Sequence, residues 1–256
     1  MDDSAWVREG AGAEYQQARP DYSTAGVTEI ASELGVSPQS TVLDLAAGTG
    51  KLARALRPLA GRVIAVEPAA PMRAEIARLD PAVEVMAGFA EEIPLADASI
   101  DAVFVGDAFH WFDGERALAE IARVLLPGGA VAVLWHIPDA RDDEEAARWY
   151  RDVWAAFAPY RERVSAHSEA GFAAWRGVFE RSPDFGPLEH RRFEGEQRWS
   201  RDGFLAYAQT WSHVAALDPA TRADAVAAAR ETLAGAPDEV SFGLHTDVWW
   251  TTKRRG

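Results

Sequence analysis

The sequence predicts an α/β protein with a doubly wound, mostly parallel β-sheet. Between residues 41 and 135, short apolar runs alternate with segments of helical periodicity, in the order β-α-β-α-β-α-β-α-β. Turn residues separate these segments, and a Pro-Gly-Gly sequence at 127–129 ends the last helical one. Strands that alternate with helices form parallel sheets through right-handed crossovers, so we expect one sheet with helices on both faces.

The composition indicates one globular domain over residues 1–256 and argues against some classes of partner. A net charge of −14 argues against nucleic acid. There is no run of about 18 apolar residues, and the sequence MDDSAWVREG lacks an apolar signal segment, so we expect a cytoplasmic protein without a membrane partner. The chain has no cysteine and no H-x-x-x-H pair, so no metal site is predicted. We expect a monomer or a homodimer.

The first 40 residues are expected to form cap helices. Residues 24–36 have the periodicity of an amphipathic helix. Before it stands a Y-x-x-x-R-P-x-Y sequence with Tyr15, Arg19 and Tyr22. Arg19 suits a carboxylate, which could belong to a ligand or to a structural ion pair. Both interpretations are open.

The first predicted strand, Thr41–Leu45, contains an acid at Asp44 and ends in a turn of small residues, 46–50. A helix is expected at 51–59. The turn lies at the carboxyl end of the strand, where α/β sheets bind ligands. A dinucleotide fingerprint needs a third glycine, and a phosphate-binding loop needs a hydroxyl residue after Gly-Lys, where Leu52 stands. An acid in the strand instead suits a ligand that carries a cationic group.

Residues 42–50, VLDLAAGTG, resemble the first motif, D-x-G-x-G-x-G, of class I S-adenosylmethionine-dependent methyltransferases. The resemblance extends to the type 11, trans-aconitate methyltransferase-like branch. It implies a Rossmann-like, seven-stranded sheet whose last strand is antiparallel. It also implies S-adenosylmethionine as cofactor, S-adenosylhomocysteine as product and a small-molecule acceptor, with the N-terminal segment folded over the cofactor. Ala46 replaces the first glycine, which is tolerated unless that residue has a positive φ.

The second strand, 62–68, ends at Glu67, whose carboxylate suits the two hydroxyls of a ribose. By resemblance, Met72 packs on adenine, although core packing is an alternative. The segment after the third strand, 83–86, resembles the family's G-D-A-x-x-L-P, with Phe89 in place of the acid that reads the adenine amino group. Phe89 could stack on the base, backbone groups could read its edge, or Glu91 could substitute.

The fourth strand, 100–105, is followed by an aromatic cluster that contains His110 and Trp111. His110 either faces the cleft, as a base or positioning group, or caps the next helix. The helix 117–126 and a fifth strand, 130–135, complete the predicted cofactor-binding core, residues 41–135.

Residues 136–217 are expected to form a variable, helical substrate-side insertion, and residues 218–256 a helix and strand that complete the sheet. Candidates for an antiparallel pair are residues 186–193 and 240–252. Helices are expected at 201–217 and 219–234. A T-W-S sequence at 210–212 resembles the acceptor side of the trans-aconitate-like branch; alternatively, the tryptophans of this region pack the insertion onto the sheet.

Two sets of site residues result. Those expected at the cofactor are Tyr15, Arg19, Asp44, Ala46, Ala47, Gly48, Thr49, Gly50, Leu52, Glu67, Pro68, Met72, Phe89, Ala90, Glu91, Gly106, Asp107, Ala108 and Trp111. Those expected at the acceptor are Tyr22, His110, Trp111, Trp135, His136, Trp211 and His213.

The resemblance predicts methyl transfer to a carboxylate or another oxygen of an organic acid or secondary metabolite. N- or C-methylation of an aromatic metabolite is an alternative, as is a relative that binds the cofactor without transferring methyl. Transfer from a sulfonium depends mainly on proximity and alignment. A base is needed only for an acceptor that must lose a proton. A nicotinamide oxidoreductase is disfavoured because the third glycine is missing.

Overall fold

A computed structural model describes residues 10–139, 143–163 and 174–255. The helices of these ranges are α1 (Ala11–Ala18), α2 (Thr24–Glu33), α3 (Lys51–Leu56), α4 (Ala70–Leu79), α5 (Gly114–Val124), α6 (Glu144–Phe157), α7 (174–181), α8 (Arg201–Gln209), α9 (Ser212–Ala215) and α10 (Pro219–Thr232). The strands are β1 (Thr41–Leu45), β2 (Arg62–Val66), β3 (Glu84–Met86), β4 (Ile100–Gly106), β5 (Leu125–Asp139), β6 (Glu189–Phe193), β7 (Glu196–Ser200) and β8 (Glu239–Thr252).

The amino-terminal half of the sheet is the predicted parallel one. Its strands lie in the order β3-β2-β1-β4-β5, and each neighbouring pair is parallel. Helices α5 and α7 pack on one face, and helices α2 and α3 pack on the other. The doubly wound arrangement is therefore confirmed. The strand order reverses direction between β1 and β4, and ligands bind at such a switch point in this class of sheet.

The carboxyl-terminal half of the sheet is antiparallel and is organised by β8. This 14-residue strand pairs with β5 along one edge. Its other edge pairs first with β7 and then with β6. Within the described ranges the sheet has eight strands, one more than the seven predicted. The eighth, β7, was not predicted, and it forms because β8 is long enough to pair with two short strands in succession.

Helices α6, α8, α9 and α10 form a cap with an aromatic core of its own, centred on Trp149, Phe204 and Trp211. Helix α1 makes contacts with both α4 of the sheet layer and α8 of the cap. The contact with α4 is close, since a Cβ on Gly12 would lie 2.7 Å from the carbonyl oxygen of Pro71. Within the described ranges, no helix combines the length and apolar character required to cross a membrane.

Candidate functional site

A cleft of about 300 Å³ opens at the carboxyl edge of the parallel strands, at the switch point between β1 and β4. Its walls come from the turns after β1, β2 and β4, the end of β5, the segment before α2 and the α8–α9 corner. The lining residues are Tyr15, Arg19, Ala46, Gly48, Glu67, Pro68, Met72, Gly106, Asp107, Ala108, His110, Trp111, Trp135, His136, Ile137, Thr210 and Ser212. A smaller inner pocket shares part of this wall and adds Pro20, Tyr22, Asp44, Ala47, Thr49, Lys51, Leu52, Tyr207 and Leu244.

The turn after β1 is held in a left-handed backbone conformation. Ala46 has φ of 57°, Gly48 of 55° and Gly50 of 76°. The condition under which alanine is unfavourable at the first motif glycine is therefore met: Ala46 has a positive φ, which costs an L-residue roughly 1–2 kcal/mol. The surrounding turn holds this conformation, since Ala47 N–H donates to the Val66 carbonyl at 3.2 Å.

Asp44 lies beneath the turn, on the face of the sheet that α3 covers. Its side chain is buried, and Oδ2 accepts a hydrogen bond from Ala53 N–H at the start of α3 at 2.8 Å. Burial raises the pKa of the Asp44 carboxyl to about 7, although the hydrogen bond from Ala53 opposes this shift. The nearby Glu67 raises the pKa further. Asp44 therefore ties α3 to β1 and also lines the inner pocket.

Glu67 connects the turns that follow β1 and β2. Its Oε2 accepts from Gly48 N–H at 2.9 Å, and its Oε1 accepts from Ala69 N–H at 2.8 Å. Each carboxylate oxygen can accept more than one hydrogen bond. The buried carboxylate lies in the cleft wall, with Pro68 and Met72 beside it.

Arg19 is held between two aromatic rings. Its guanidinium carbon lies 5.3 Å from the ring centre of Tyr15 and 5.1 Å from that of Tyr207. Nε donates to Thr210 Oγ1 at 2.8 Å, and Nη2 donates to the Thr210 carbonyl at 3.2 Å. Among the described residues, no carboxylate lies within ion-pair distance of Arg19. A half-buried guanidinium of this kind favours an anionic ligand, because unpaired charges are costly away from water.

Asp107, directly after β4, collects contacts from two other segments. Oδ1 accepts from His136 N–H at 2.8 Å, and Oδ2 accepts from the Tyr22 hydroxyl at 3.2 Å. The rings of Tyr22 and His136 stack at 4.9 Å. Burial lowers the pKa of His136, partly offset by the charge of Asp107, so the imidazole is neutral at pH 7. Asp107 itself has φ of 52°.

The opposite part of the cleft is aromatic. The ring of His110 lies 5.0 Å from that of Trp111 and 5.4 Å from that of Trp135. All three side chains line the cleft, and Ile137 and Ser212 extend the wall. This part suits a planar or apolar group. Aromatic faces also attract cations such as a sulfonium.

Helix α1 and the residues after it are fastened to the glycine turn. Gln16 Oε1 accepts from Thr49 Oγ1 and from Arg54 Nη2, each at 2.8 Å. Lys51 Nζ donates to Asp21 at 2.7 Å. The amino-terminal segment therefore lies across the cleft opening beside β1. In the described part of the chain, no three His, Cys, Asp or Glu side chains are grouped as metal ligands.

Comparison with known proteins agrees with this geometry. Residues 43–133 match a methyltransferase domain family. An uncharacterized methyltransferase of Schizosaccharomyces pombe is 41% identical over 128 residues, which cover 50% of this chain and 51% of that protein. An uncharacterized methyltransferase of Mycobacterium tuberculosis is 37% identical over 155 residues, with coverage of 59% and 60%. A solved structure, assigned as a type II methyltransferase of Anaeromyxobacter dehalogenans, is 28% identical, has a TM-score of 0.59 and covers 93% of this chain and 97% of its own.

Residues 43–133 of the chain match a methyltransferase domain, and the fold is similar to that of a solved methyltransferase structure. The match spans 51% to 60% of the length of the two curated relatives. In this methyltransferase domain, the motif predicted from the first strand forms the turn between β1 and α3. Most residues predicted at the cofactor line the cleft or the inner pocket. Their roles toward the cofactor stay predictions.

Four residues predicted at the cofactor do not line the cleft or inner pocket of the methyltransferase domain: Gly50, Phe89, Ala90 and Glu91. Gly50 packs under the turn, where a Cβ would lie 3.0 Å from Ile76. Phe89 is 43% exposed, and Ala90 is part of the sheet core. Glu91 accepts a hydrogen bond from Asp113 N–H at 2.8 Å, which fixes the start of α5.

Trp211 and His213, predicted at the acceptor, also lie away from the cleft. Both are buried in the cap, where Trp154 lies 5.1 Å from Trp211 and 5.4 Å from His213. Their neighbours Thr210 and Ser212 line the cleft instead. The predicted residues Trp211 and His213 alternate along the chain with the two residues that line the cleft, Thr210 and Ser212. Tyr207 and Ile137 were missed because neither carries a motif.

Proposed function

We propose that the chain transfers a methyl group from S-adenosylmethionine to a small-molecule acceptor. The observation that carries the proposal is the cleft at the switch point of the sheet, which has Glu67 and the glycine turn on one side and an aromatic wall on the other. The charges in it complement the cofactor: Asp44 and Asp107 suit its cationic groups, and Arg19 suits its carboxylate.

The fit of the cofactor rests on the half-buried Arg19 guanidinium, which has no carboxylate partner among the described residues. In the proposed orientation, Arg19 binds the methionine carboxylate, and Glu67 accepts hydrogen bonds from the ribose hydroxyls. Met72 and Pro68 border the adenine region. The bound cofactor supplies an electrophilic methyl group on a sulfonium.

The residues of the chain supply alignment and exclude water. The segment Tyr15–Tyr22 borders the cleft, and its contacts with Asp107 and Thr210 hold it in place. Trp111 and Trp135 orient the acceptor against the methyl group, since in-line displacement depends on reactants held in line. His136 is neutral near pH 7 and can accept a proton from the acceptor. His110 can position the acceptor.

For the acceptor we propose an oxygen nucleophile, a carboxylate or a hydroxyl of an organic acid or secondary metabolite. A carboxylate needs no base, whereas a hydroxyl would use one of the two histidines of the cleft. The aromatic wall of His110, Trp111 and Trp135, whose rings are tilted against one another, favours a second candidate, an aromatic metabolite methylated at nitrogen or carbon.

Calorimetric titration of the purified protein with S-adenosylmethionine, S-adenosylhomocysteine and NAD tests the proposal. We expect micromolar binding of the first two and no binding of NAD. An acceptor screen would follow, starting with organic acids and phenols. Binding of NAD alone would overturn the proposed cofactor. Cofactor binding without turnover over the whole screen would instead support a relative that only binds S-adenosylmethionine.

A further inference from the structure

Thr210, at the end of α8, is the residue that holds the guanidinium of Arg19. The two residues are 191 positions apart in the sequence. The Thr210 hydroxyl accepts from Arg19 Nε at 2.8 Å, and the Thr210 carbonyl accepts from Nη2 at 3.2 Å. One threonine therefore accepts hydrogen bonds from both nitrogens, Nε and Nη2, on one edge of the guanidinium. No sequence motif of the chain pointed to this contact as a determinant of ligand binding.

The contact determines which donors of Arg19 stay available. A guanidinium has five N–H donors in one plane. Thr210 takes one on Nε and one on Nη2, so both donors of Nη1 and the second of Nη2 remain. These donors point from the end of the guanidinium, and a carboxylate can accept two parallel hydrogen bonds from that end. The rings of Tyr15 and Tyr207 flank the group and restrict its plane.

Thr210 is itself rigidly placed. Its side chain is 4% exposed, and its hydroxyl donates to the Tyr207 carbonyl at 2.6 Å. The next residue, Trp211, is buried in the core of the cap. The cap therefore fixes the hydrogen-bonded edge of the Arg19 guanidinium, although Arg19 belongs to the amino-terminal segment.

We propose that Thr210 is a positioning residue for the cofactor: it orients Arg19 so that the end of the guanidinium binds the carboxylate of the methionine part of S-adenosylmethionine. The inference rests on the proposed function and assigns the cap a part in cofactor binding. The hydroxyl of Thr210 is predicted to discriminate in favour of ligands that carry a carboxylate.

The experiment compares S-adenosylmethionine with decarboxylated S-adenosylmethionine, which keeps the sulfonium and the amine. Thr210→Val retains the shape of the side chain but removes the hydroxyl. We expect it to weaken binding of S-adenosylmethionine by roughly tenfold, because a hydrogen bond to a charged group is lost. Binding of the decarboxylated ligand should be unchanged. Thr210→Ser keeps the hydroxyl and should bind both ligands within about twofold of the wild type.

Thr232→Val is the matched control. The Thr232 hydroxyl donates to the Ala229 carbonyl at the end of α10, as Thr210 does to Tyr207 at the end of α8, and Thr232 does not line the cleft. It should leave both affinities unchanged. Should Thr210→Val fail to fold, Thr210→Ala removes the same hydroxyl and provides the same comparison.

Two results would overturn the inference while the wild type binds S-adenosylmethionine. One is an unchanged affinity in Thr210→Val. The other is an equal loss for both ligands, which would mean that Thr210 only supports the fold. If the wild type binds neither ligand, the proposed function fails first, so the two failures are distinguishable.

Discussion

Ala46 and Asp107 adopt the same unusual backbone conformation at the ends of two neighbouring strands. Their φ values are 57° and 52°, and both residues line the cleft. Among the described residues, Ala98 is the one other non-glycine residue with a positive φ. Backbone strain of this kind collects at functional sites, where the surrounding structure holds it. Both strained residues therefore lie at the carboxyl ends of β1 and β4, in the wall of the cleft.

Ala46→Gly should stabilise the protein. Glycine adopts φ of 57° without the Cβ clash, and this gain exceeds the greater freedom of glycine in the unfolded chain. We expect the free energy of unfolding to rise by roughly 0.5–1 kcal/mol. Urea denaturation measures it. Ala47→Gly is the control, because Ala47 has an ordinary φ, and it should lose stability instead. A lower free energy of unfolding in both variants would show that Ala46 is not strained.

Asp44 should make stability depend on pH. Its folded-state pKa of about 7 lies above the ordinary value of 3.8. The folded state therefore binds more protons than the unfolded state, and this contribution to stability is complete below about pH 3.8 and is lost as the pH rises through about 7. For a pKa of about 7, the contribution falls by about 2 kcal/mol between about pH 5.5 and about pH 8.

Asp44→Asn should remove this dependence, since the amide keeps an oxygen for Ala53 N–H but does not titrate. The measurement is the free energy of unfolding of both proteins at a series of pH values. The lowered pKa of His136 acts in the opposite direction but is common to both proteins, so it cancels in their difference. Parallel curves for the two proteins would contradict the predicted titration of Asp44.

At the scale of elements, the segment between α1 and α2 fits against β4 because β4 ends in glycine. A Cβ on Gly106 would lie 2.3 Å from the Tyr22 hydroxyl and 3.0 Å from its ring. Tyr22 reaches Asp107 through that space. The glycine is therefore required by the close approach of a tyrosine from another segment and not by its own dihedral angles.

Gly106→Ala should displace Tyr22 and lower the free energy of unfolding by about 1–3 kcal/mol, as for other overpacked sites. Tyr22→Phe removes the hydroxyl that meets the new methyl group. The double variant should therefore lower the free energy of unfolding by less than the sum of the decreases in the two single variants. Gly235→Ala is the control, because no atom lies within 4 Å of a Cβ there. Strict additivity would contradict the predicted contact.

The sequence predicted those helices and strands whose characteristic pattern lies within their own residues. The strand 41–45 and its turn were recognisable from an apolar run, an acid and small residues in succession. Strand β7 was not recognisable from the sequence, because Glu196–Ser200 has no apolar run and becomes a strand only by pairing with β8. Trp211 shows a similar limit for the site. Whether Thr210 or Trp211 faces the cleft depends on the geometry of the α8–α9 corner, which a linear motif does not encode.

At the scale of the whole molecule, α1 connects two packed units. It contacts α4 on the side of the cleft lined by Glu67 and Met72, and α8 in the cap. Arg19, just beyond its end, bonds to Thr210 in the cap, while Gln16 bonds to Thr49 in the turn. A ligand in the cleft therefore touches residues whose partners lie in both units.

S-adenosylmethionine should stabilise both units together. At about 100 times its dissociation constant, it should raise the free energy of unfolding by about 2.7 kcal/mol. Amide hydrogen exchange should slow in α1 and α8 as well as in the turn 46–50, because their contacts meet at the cleft. Mass spectrometry of exchanged peptides measures this, with NAD as the control ligand. Protection restricted to the turns after β1 and β2 would contradict the coupling.

The long strand β8 has a consequence for the order in which the molecule is built. Residues 239–252 emerge from the ribosome after every other strand described, yet β5, β6 and β7 all pair with them. Until then, the edge of β5 and two short strands have no partner, and open strand edges promote aggregation during synthesis. Nascent chains that stall before residue 239 should therefore need chaperones, even though the whole parallel half of the sheet has already been translated.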